Sequence, residues 1–266
     1  MNPVAGEERT AMTARFKTLL ERKRPALGTL LSLPSPEIAE ICAAAGFDWL
    51  FLDMEHGLLD AAAVQRMIQA VAGRCPCLVR VPENEPAWIG RALDTGADGL
   101  IFPHVNSAAE ARACVRAAQY SPQGERSVGV ARAQGYGARL AESIAAANAE
   151  TALVAQIEHV LGVRAMAEIL EVAGIDAVFV GPYDLSASLG IPGRVEDSAV
   201  QDAIGEVLKA AKKSGRPAGI FAGAPEAARS ALGRGFSFVC VATETLLLAD
   251  AGRAVIDRLR SGWPPE

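Results

Sequence analysis

No run of apolar residues in this 266-residue sequence reaches the roughly 18 that a membrane-spanning helix needs, so no membrane partner is expected. The first stretch, MNPVAGEERTAMTARFKTLLERKR, is charged throughout and lacks the apolar core of a signal peptide, which makes the cytoplasm the expected location. Basic residues gather in no stripe and the formal charge is −5, which argues against nucleic acid as a partner. The five cysteines, Cys42, Cys75, Cys77, Cys114 and Cys240, are odd in number and sit inside apolar runs, so reduced core thiols are expected rather than disulfides. Cys75-Pro76-Cys77 is the one close pair, and no second cluster completes a zinc site. No Pro/Gly/Ser-rich linker divides the chain. No Gly-x-Gly-x-x-Gly follows the first strand, and Gly219-Ile220-Phe221-Ala222-Gly223 is too weak a pattern to be a phosphate loop.

What is present is an alternation of short β-rich runs with helical patterns, the mark of βα units and a parallel sheet. The strands read as Ala26–Leu31, Trp49–Asp53, Cys77–Val81, Gly99–Phe102, Ala152–Ile157, Ala177–Val180, Pro217–Phe221 and Phe238–Val241, the number that closes a single-domain (β/α)8 TIM barrel of the α/β class. Aromatic residues are few at 5%, and abundant alanine and glycine suit close packing of helices on strands. Helix starts are legible: Asp60 before Val64, Met67, Ile68 and Val71; Ser107 with Glu110 as a capping box; Ser35 followed by Pro36 at the first helical position. Val200, Ile204, Val207, Leu208 and Ala211 form another apolar stripe. The first 24 residues read as a helix packed under the barrel. Residues 120–150, with Arg126, Arg132, Arg139 and several glycines, break the rhythm and read as a long connection at a subunit interface.

Barrel enzymes carry their reactive groups at the C-terminal ends of the strands. Here strand two runs into Asp53-Met54-Glu55-His56-Gly57, strand three ends at Arg80, strand five at Gln156-Ile157-Glu158, and strand six at Gly181-Pro182-Tyr183-Asp184. Glu158 and Asp184 follow adjacent strands with no cysteine near, a donor set suited to a hard cation such as Mg2+ or Mn2+; alone, each could as well cap a helix or pair with an arginine. Of the three histidines, His56, His104 and His159, His56 best fits a general base, with Asp53 or Glu55 to orient it. His104 could line the pocket, and His159 starts a helix. Arg80, ending an apolar strand, needs an anion: a developing enolate, or an ion pair with Asp53 or Glu55. Lysine supplies none of this. Lys17, Lys23, Lys209, Lys212 and Lys213 all fall in helical segments, which leaves no strand-end amine for a Schiff base and makes a metal the electron sink for any carbanion.

Gly46-Phe-Asp-Trp-Leu50, Asp53-Met-Glu-His-Gly57, Val79-Arg-Val-Pro82, Leu93-Asp-Thr-Gly-Ala-Asp-Gly99, Gln156-Ile-Glu158 and Gly181-Pro-Tyr-Asp-Leu-Ser186 together resemble the HpcH/HpaI aldolase family, in order and spacing from about residue 25 to 250. The resemblance implies a divalent-metal pyruvate aldolase, a carbon–carbon lyase that reversibly cleaves a 4-hydroxy-2-oxoacid into pyruvate and an aldehyde through a metal-stabilised pyruvate enolate. It implies Mg2+, Mn2+ or Co2+ held by Glu158 and Asp184, His56 as base and Arg80 as enolate stabiliser. Gln156 with Gly181, Pro182, Tyr183 and Asp184 would cradle pyruvate. It points to Asp94 as the acidic partner of His56 across a subunit contact, where spacing favours Asp53. It also implies a homo-oligomer, a hexamer of dimers that exchange the last helix. The chain departs from the family pattern at Leu30 (often tryptophan), Phe221 (usually a smaller aliphatic) and Glu244 (commonly aspartate), and the first two bear on the choice of aldehyde. An oxaloacetate decarboxylase or acyl-CoA lyase would use the same residues, the latter with a basic groove for the nucleotide. A barrel kept only for binding would have lost part of the set, and none of it is missing.

Overall fold

The structure, a computed structural model, describes residues 15–22 and 24–262; most of the expected N-terminal helix, and Lys23, lie outside the described residues. Eight parallel strands close a barrel in sequence order: β1 (Ala26–Leu31), β2 (Trp49–Asp53), β3 (Cys77–Arg80), β4 (Gly99–Phe102), β5 (Ala152–Ile157), β6 (Ala177–Val180), β7 (Ala218–Ala222) and β8 (Phe238–Thr243). The outer ring comprises α2 (Pro36–Ala45), α3 (Ala61–Val71), α4 (Pro86–Asp94), α5 (Ala108–Ala118), α7 (Val160–Arg164) with α8 (Met166–Leu170), α9 (Pro182–Ser188), α10 (Ser198–Ser214) and α11 (Pro225–Arg234). Three further helices are α1 (Phe16–Leu20), α6 (Leu140–Glu150) and the C-terminal α12 (Glu244–Arg260). Among the described residues no helix is long and apolar enough to cross a membrane.

The caps form as their sequences dictate. Ser35 Oγ accepts from the Ile38 N–H (3.2 Å), Asp60 Oδ1 from Ala63 (2.6 Å) and Ser107 Oγ from Glu110 (3.2 Å), while the Glu110 carboxylate reaches back to the Asn106 N–H (2.6 Å). A second device recurs at the opposite end of the barrel. Before every even-numbered strand a left-handed glycine (Gly46, Gly96, Gly174 or Gly235) turns the chain, and two residues later comes Asp48, Asp98, Asp176 or Ser237. Each aspartate clamps the foot of the preceding strand: its carboxylate accepts from the N–H of Leu27 (3.0 Å), Cys77 (2.9 Å) or Leu153 (2.8 Å). Its own N–H donates to the carbonyl of the same residue. Strand-foot donors that would otherwise be unpaired are thereby satisfied.

Two cores result. One lies between helices and sheet. The other fills the barrel with Trp49, Phe51, Phe179 and Phe238 and is closed from below by α1, whose Phe16 packs edge-on against Trp49 (5.3 Å) and Phe238 (5.4 Å). Within the barrel this aromatic core ends below the mouth, where Arg80, Gln156 and Glu158 stand at the strand ends. All five cysteines are buried and unpaired, and burial pushes the Cys75 and Cys114 thiols up to about 12. Residues 120–150 fold under the barrel, not over its mouth. Arg126 pairs with Asp94 (2.9 Å), Arg132 donates to the Thr95 carbonyl (2.8 Å), and an irregular turn at Arg132–Gly137 leads into α6, which buries none of its residues.

Candidate active site

Register places the two central charges side by side, because Asp53 of β2 is paired with Arg80 of β3. Their side chains make a two-point ion pair, Nε to Oδ1 at 2.9 Å and Nη2 to Oδ2 at 2.7 Å, at sites where Asp53 is 2% and Arg80 6% exposed. Arg80 Nε also lies 3.0 Å from Glu55 Oε2, and the guanidinium sits over the Phe51 ring at 5.2 Å. Burial alone would lower the arginine's pKa, but the hydrogen bond and charge of Asp53, with Glu55 and Glu158 adding, raise it above its ordinary value. The guanidinium is therefore a fixed, permanently charged cation at the mouth, oriented by its carboxylates.

Glu55, one of the two ion-pair partners expected for Arg80, and His104 enlarge this network. Burial pushes the Glu55 carboxyl up, the charge of Glu158 adds to this, and Arg80 pulls against it. His104, in the turn after β4, takes a left-handed backbone (φ 52°), uncommon for a residue with a side chain. That conformation lets its N–H donate to Glu158 Oε1 at 2.8 Å while its ring bridges two carboxylates, Nδ1 to Glu158 Oε1 and Nε2 to Glu55 Oε1, each at 3.1 Å. Strand-end position alone suggested a pocket-lining role for His104; the bridge depends on a positive φ that no local sequence rule predicts for histidine. His159 accepts from the Leu161 N–H (3.1 Å) and caps α7, as its position indicates.

Glu158 is 2% exposed, with Gln156 donating through Nε2 to its Oε2 while Gln156 Oε1 is buried without a partner. Gly181 makes room for them. A Cβ there would stand 2.9 Å from Glu158 Oε2 and 3.3 Å from Gln156 Nε2. Gly181 precedes α9, where Pro182 takes the first helical position and Asp184 the first turn. A cavity of about 170 Å3 opens here, lined by His56, Arg80, Gln156, Gly181, Tyr183 and Asp184 on its polar side. Leu30, Phe51, Phe179 and Phe221 line its apolar side, and Tyr183 packs edge-on against Phe221 (6.1 Å). Among the described residues no three His, Cys, Asp or Glu side chains form a complete metal cage. Glu158 and Asp184 are two hard oxygen donors at one mouth. Such a set fits an octahedral cation that takes its remaining ligands from substrate and water.

Of the carboxylates expected to orient His56, neither Asp53 nor Asp94 meets its ring within one chain. Asp53 spends its oxygens on Arg80 and on the backbone N–H groups of Glu55 (3.0 Å) and His56 (3.3 Å), so it shapes the loop and not the imidazole. Asp94 ends α4 at the far end of the barrel, paired with Arg126. The carboxylate that does approach His56 is Glu55, at 3.9 Å from Nε2, and the histidine side chain is 64% exposed in the mouth.

Residues 27–251 match the HpcH/HpaI aldolase/citrate lyase family. The chain is 39% identical over 260 residues to a hydroxypyruvate/pyruvate aldolase of Paraburkholderia phytofirmans, covering 95% of this chain and 100% of that protein. It is 39% identical over 245 residues to a 4-hydroxy-2-oxovalerate aldolase of Rhodococcus jostii, covering 91% and 95%. A crystal structure of an HpcH/HpaI aldolase/citrate lyase family protein from Burkholderia cenocepacia superposes with a TM-score of 0.89 at 37% identity, over 92% of this chain and 98% of that one. With its polar mouth built on the same barrel, the chain belongs to the HpcH/HpaI aldolase family and is a carbon–carbon lyase.

Proposed function

We propose that the protein is a divalent-cation-dependent pyruvate aldolase that cleaves a 4-hydroxy-2-oxoacid to pyruvate and an aldehyde, and runs the reverse addition. The observation that carries this reading is the small mouth cavity in which His56, Arg80, Gln156 and Asp184 converge beside buried Glu158. Its volume of about 170 Å3 suits a short oxoacid, and the relatives are aldolases of such acids by name.

Glu158 and Asp184 would hold the cation, Mg2+, Mn2+ or Co2+. When bound, it supplies Lewis-acid charge beside the 2-keto oxygen. Gln156 and the chain from Gly181 to Asp184 orient the pyruvate half. His56 takes the proton of the 4-hydroxyl, the C3–C4 bond breaks, and the aldehyde carbonyl forms. The electron pair remains on the pyruvate half as its enolate, whose oxygen faces the Arg80 guanidinium, and C3 then takes up a proton. A preformed cation so placed costs no reorganisation as the charge develops. Asp53 and Glu55 hold that cation in place and leave it a donor face toward the cavity.

The cytoplasm remains the assigned location, and small molecules the assigned partners. Exchange of the last helix in a hexamer is supported by α12, which buries only Glu244 and exposes Leu246, Leu248, Val255, Ile256 and Leu259. Residues 120–150 lie at the same end as Asp94, and an interface there would be the route by which Asp94 meets His56 of another subunit. The test is retro-aldol turnover of a panel of 4-hydroxy-2-oxoacids before and after EDTA, with separate metals added back. Activity that survives chelation sinks the metal reading, and absence of pyruvate from every hydroxy-oxoacid sinks the aldolase reading.

A further inference from the structure

We propose that Glu244 is a positioning residue for the loop that carries His56, an inference that rests on the reading of His56 as the base. Glu244 opens α12 immediately after β8, is 5% exposed and does not line the mouth cavity. Its Oε1 collects three hydrogen bonds from the loop after β1: from the Ser32 N–H (2.7 Å), the Ser32 hydroxyl (2.9 Å) and the Leu33 N–H (2.7 Å). Its Oε2 is buried without a partner. A buried carboxylate is costly unless it is hydrogen-bonded, and charge-assisted bonds of this kind are about twice as strong as neutral ones, so the three donors are held firmly. Closure of the barrel does not need it, because the β1–β8 ladder already runs up to Leu30 and Thr243.

What the carboxylate holds is the loop after β1, and that loop holds the loop after β2. The Ser32 carbonyl accepts from the Leu58 N–H at 2.9 Å. Gly57 lies so close that a Cβ on it would stand 3.0 Å from both Ser32 Cα and Ser32 O. His56 is the residue immediately before Gly57. Its backbone is pinned from below by Asp53 Oδ1 and from the side, through Gly57 and Leu58, by Ser32. Among the described residues the nearest carboxylate to the exposed imidazole is Glu55, 3.9 Å from Nε2 and beyond hydrogen-bond distance, so the placement of the ring follows that of the backbone. Glu244 thus acts at one remove, through Ser32.

This makes a prediction that a general structural role does not. Retro-aldol cleavage needs the 4-hydroxyl proton removed. Oxaloacetate decarboxylation breaks the C3–C4 bond to the same enolate with carbon dioxide leaving, and has no such proton to remove. Glu244→Gln, measured in the full-length enzyme, is expected to lower retro-aldol kcat about 10-fold, as for a sub-ångström misplacement of a reacting group, with KM within about twofold. Decarboxylation should stay at the wild-type rate, and Glu244→Asp, which keeps the charge, should recover part of the loss. Equal loss in both reactions, a change carried by KM alone, or wild-type kinetics in the Gln variant would each overturn the proposal. A wild-type enzyme that decarboxylates oxaloacetate but cleaves no hydroxy-oxoacid would instead remove the reading on which it rests.

Discussion

Gly181→Ala adds one methyl group where the site has no space for it. The backbone at Gly181 is ordinary for any residue (φ −99°, ψ 92°), so the substitution brings steric crowding without conformational strain. The new Cβ would lie 2.9 Å from Glu158 Oε2, 3.1 Å from Glu158 Cβ and 3.3 Å from Gln156 Nε2. The first contact is about half an ångström too close, and overpacking of this kind typically costs about 1–3 kcal/mol. Glu158 cannot retreat freely, because the His104 N–H and Gln156 hold its two oxygens. Part of the strain should therefore appear as a displaced carboxylate. Disturbing a metal ligand's surroundings typically costs about 10–100-fold in affinity, and a misplaced reacting group up to about 100-fold in rate. The expectation for Gly181→Ala is Mn2+ binding weakened at least about 10-fold in a calorimetric titration. Retro-aldol kcat should fall comparably, and Tm by about 2–4 °C per kcal/mol of strain. Wild-type Mn2+ affinity together with wild-type kcat would show that Glu158 is not held where the reasoning requires it.

Arg80→Ala should lower kcat by about 100–1000-fold with a smaller change in KM, for decarboxylation as well as for aldol cleavage, since both pass through the enolate; unchanged kcat in steady-state assays of either reaction would refute its role. The same variant strands Asp53 and Glu55 without their cation, and a loss of about 3–5 kcal/mol in denaturant unfolding is expected. At the foot of the barrel, burial raises the Asp98 pKa to about 6, against the lowering effect of its bond to the Cys77 N–H. A carboxyl whose folded pKa is raised contributes most below its unfolded value near 4, and that contribution is lost as pH rises through about 6. Asp98→Asn keeps an oxygen for Cys77 and removes the titration. Its Tm relative to wild type should therefore rise between pH 4.5 and 7.5, on the order of 2 kcal/mol in stability, and a pH-independent difference by calorimetry would contradict the assignment.

Much of this was legible in the sequence because the rules that apply are local. A strand buried on both faces reads as a continuous apolar run, and all eight strands fall within two residues of their expected bounds. The expected start of β7 at Pro217 moves to Ala218, since proline has no N–H for the ladder. The expected end of β8 at Val241 extends to Thr243, whose hydroxyl caps α12. The Gly-x-Asp clamps before β2, β4 and β6 were also present as a repeated pattern, and their spacing could have announced a two-strand repeat. Helix α6 is different: an alanine-rich stretch that buries no residue presents no apolar stripe to read.

Where sequence reasoning falls short, the missing information is register and backbone hand. Asp53 and Arg80 are 27 residues apart, and only strand register makes them neighbours. Spacing offered Asp53 to His56 because the two are close in sequence, yet a carboxylate at a strand end is bonded by the turn it starts and by the strand beside it. His104 needs a left-handed backbone to bridge Glu55 and Glu158, and Gly181 needs the absence of a side chain to let Glu158 sit where it does. These departures from local preference cluster at the mouth, as expected where function and not folding selects the residue. The same logic separates the mouth from the foot of the barrel. There, Asp48, Asp98 and Asp176 satisfy backbone donors and obey the local rule each time. Around the mouth, Gln156 Oε1 and Glu244 Oε2 remain buried without hydrogen-bond partners among the described residues. A fold that satisfies its carboxylates so regularly at one end has the means to do so at the other. The first of these oxygens belongs to the candidate site, and the second to the carboxylate proposed to hold the His56 loop beside it.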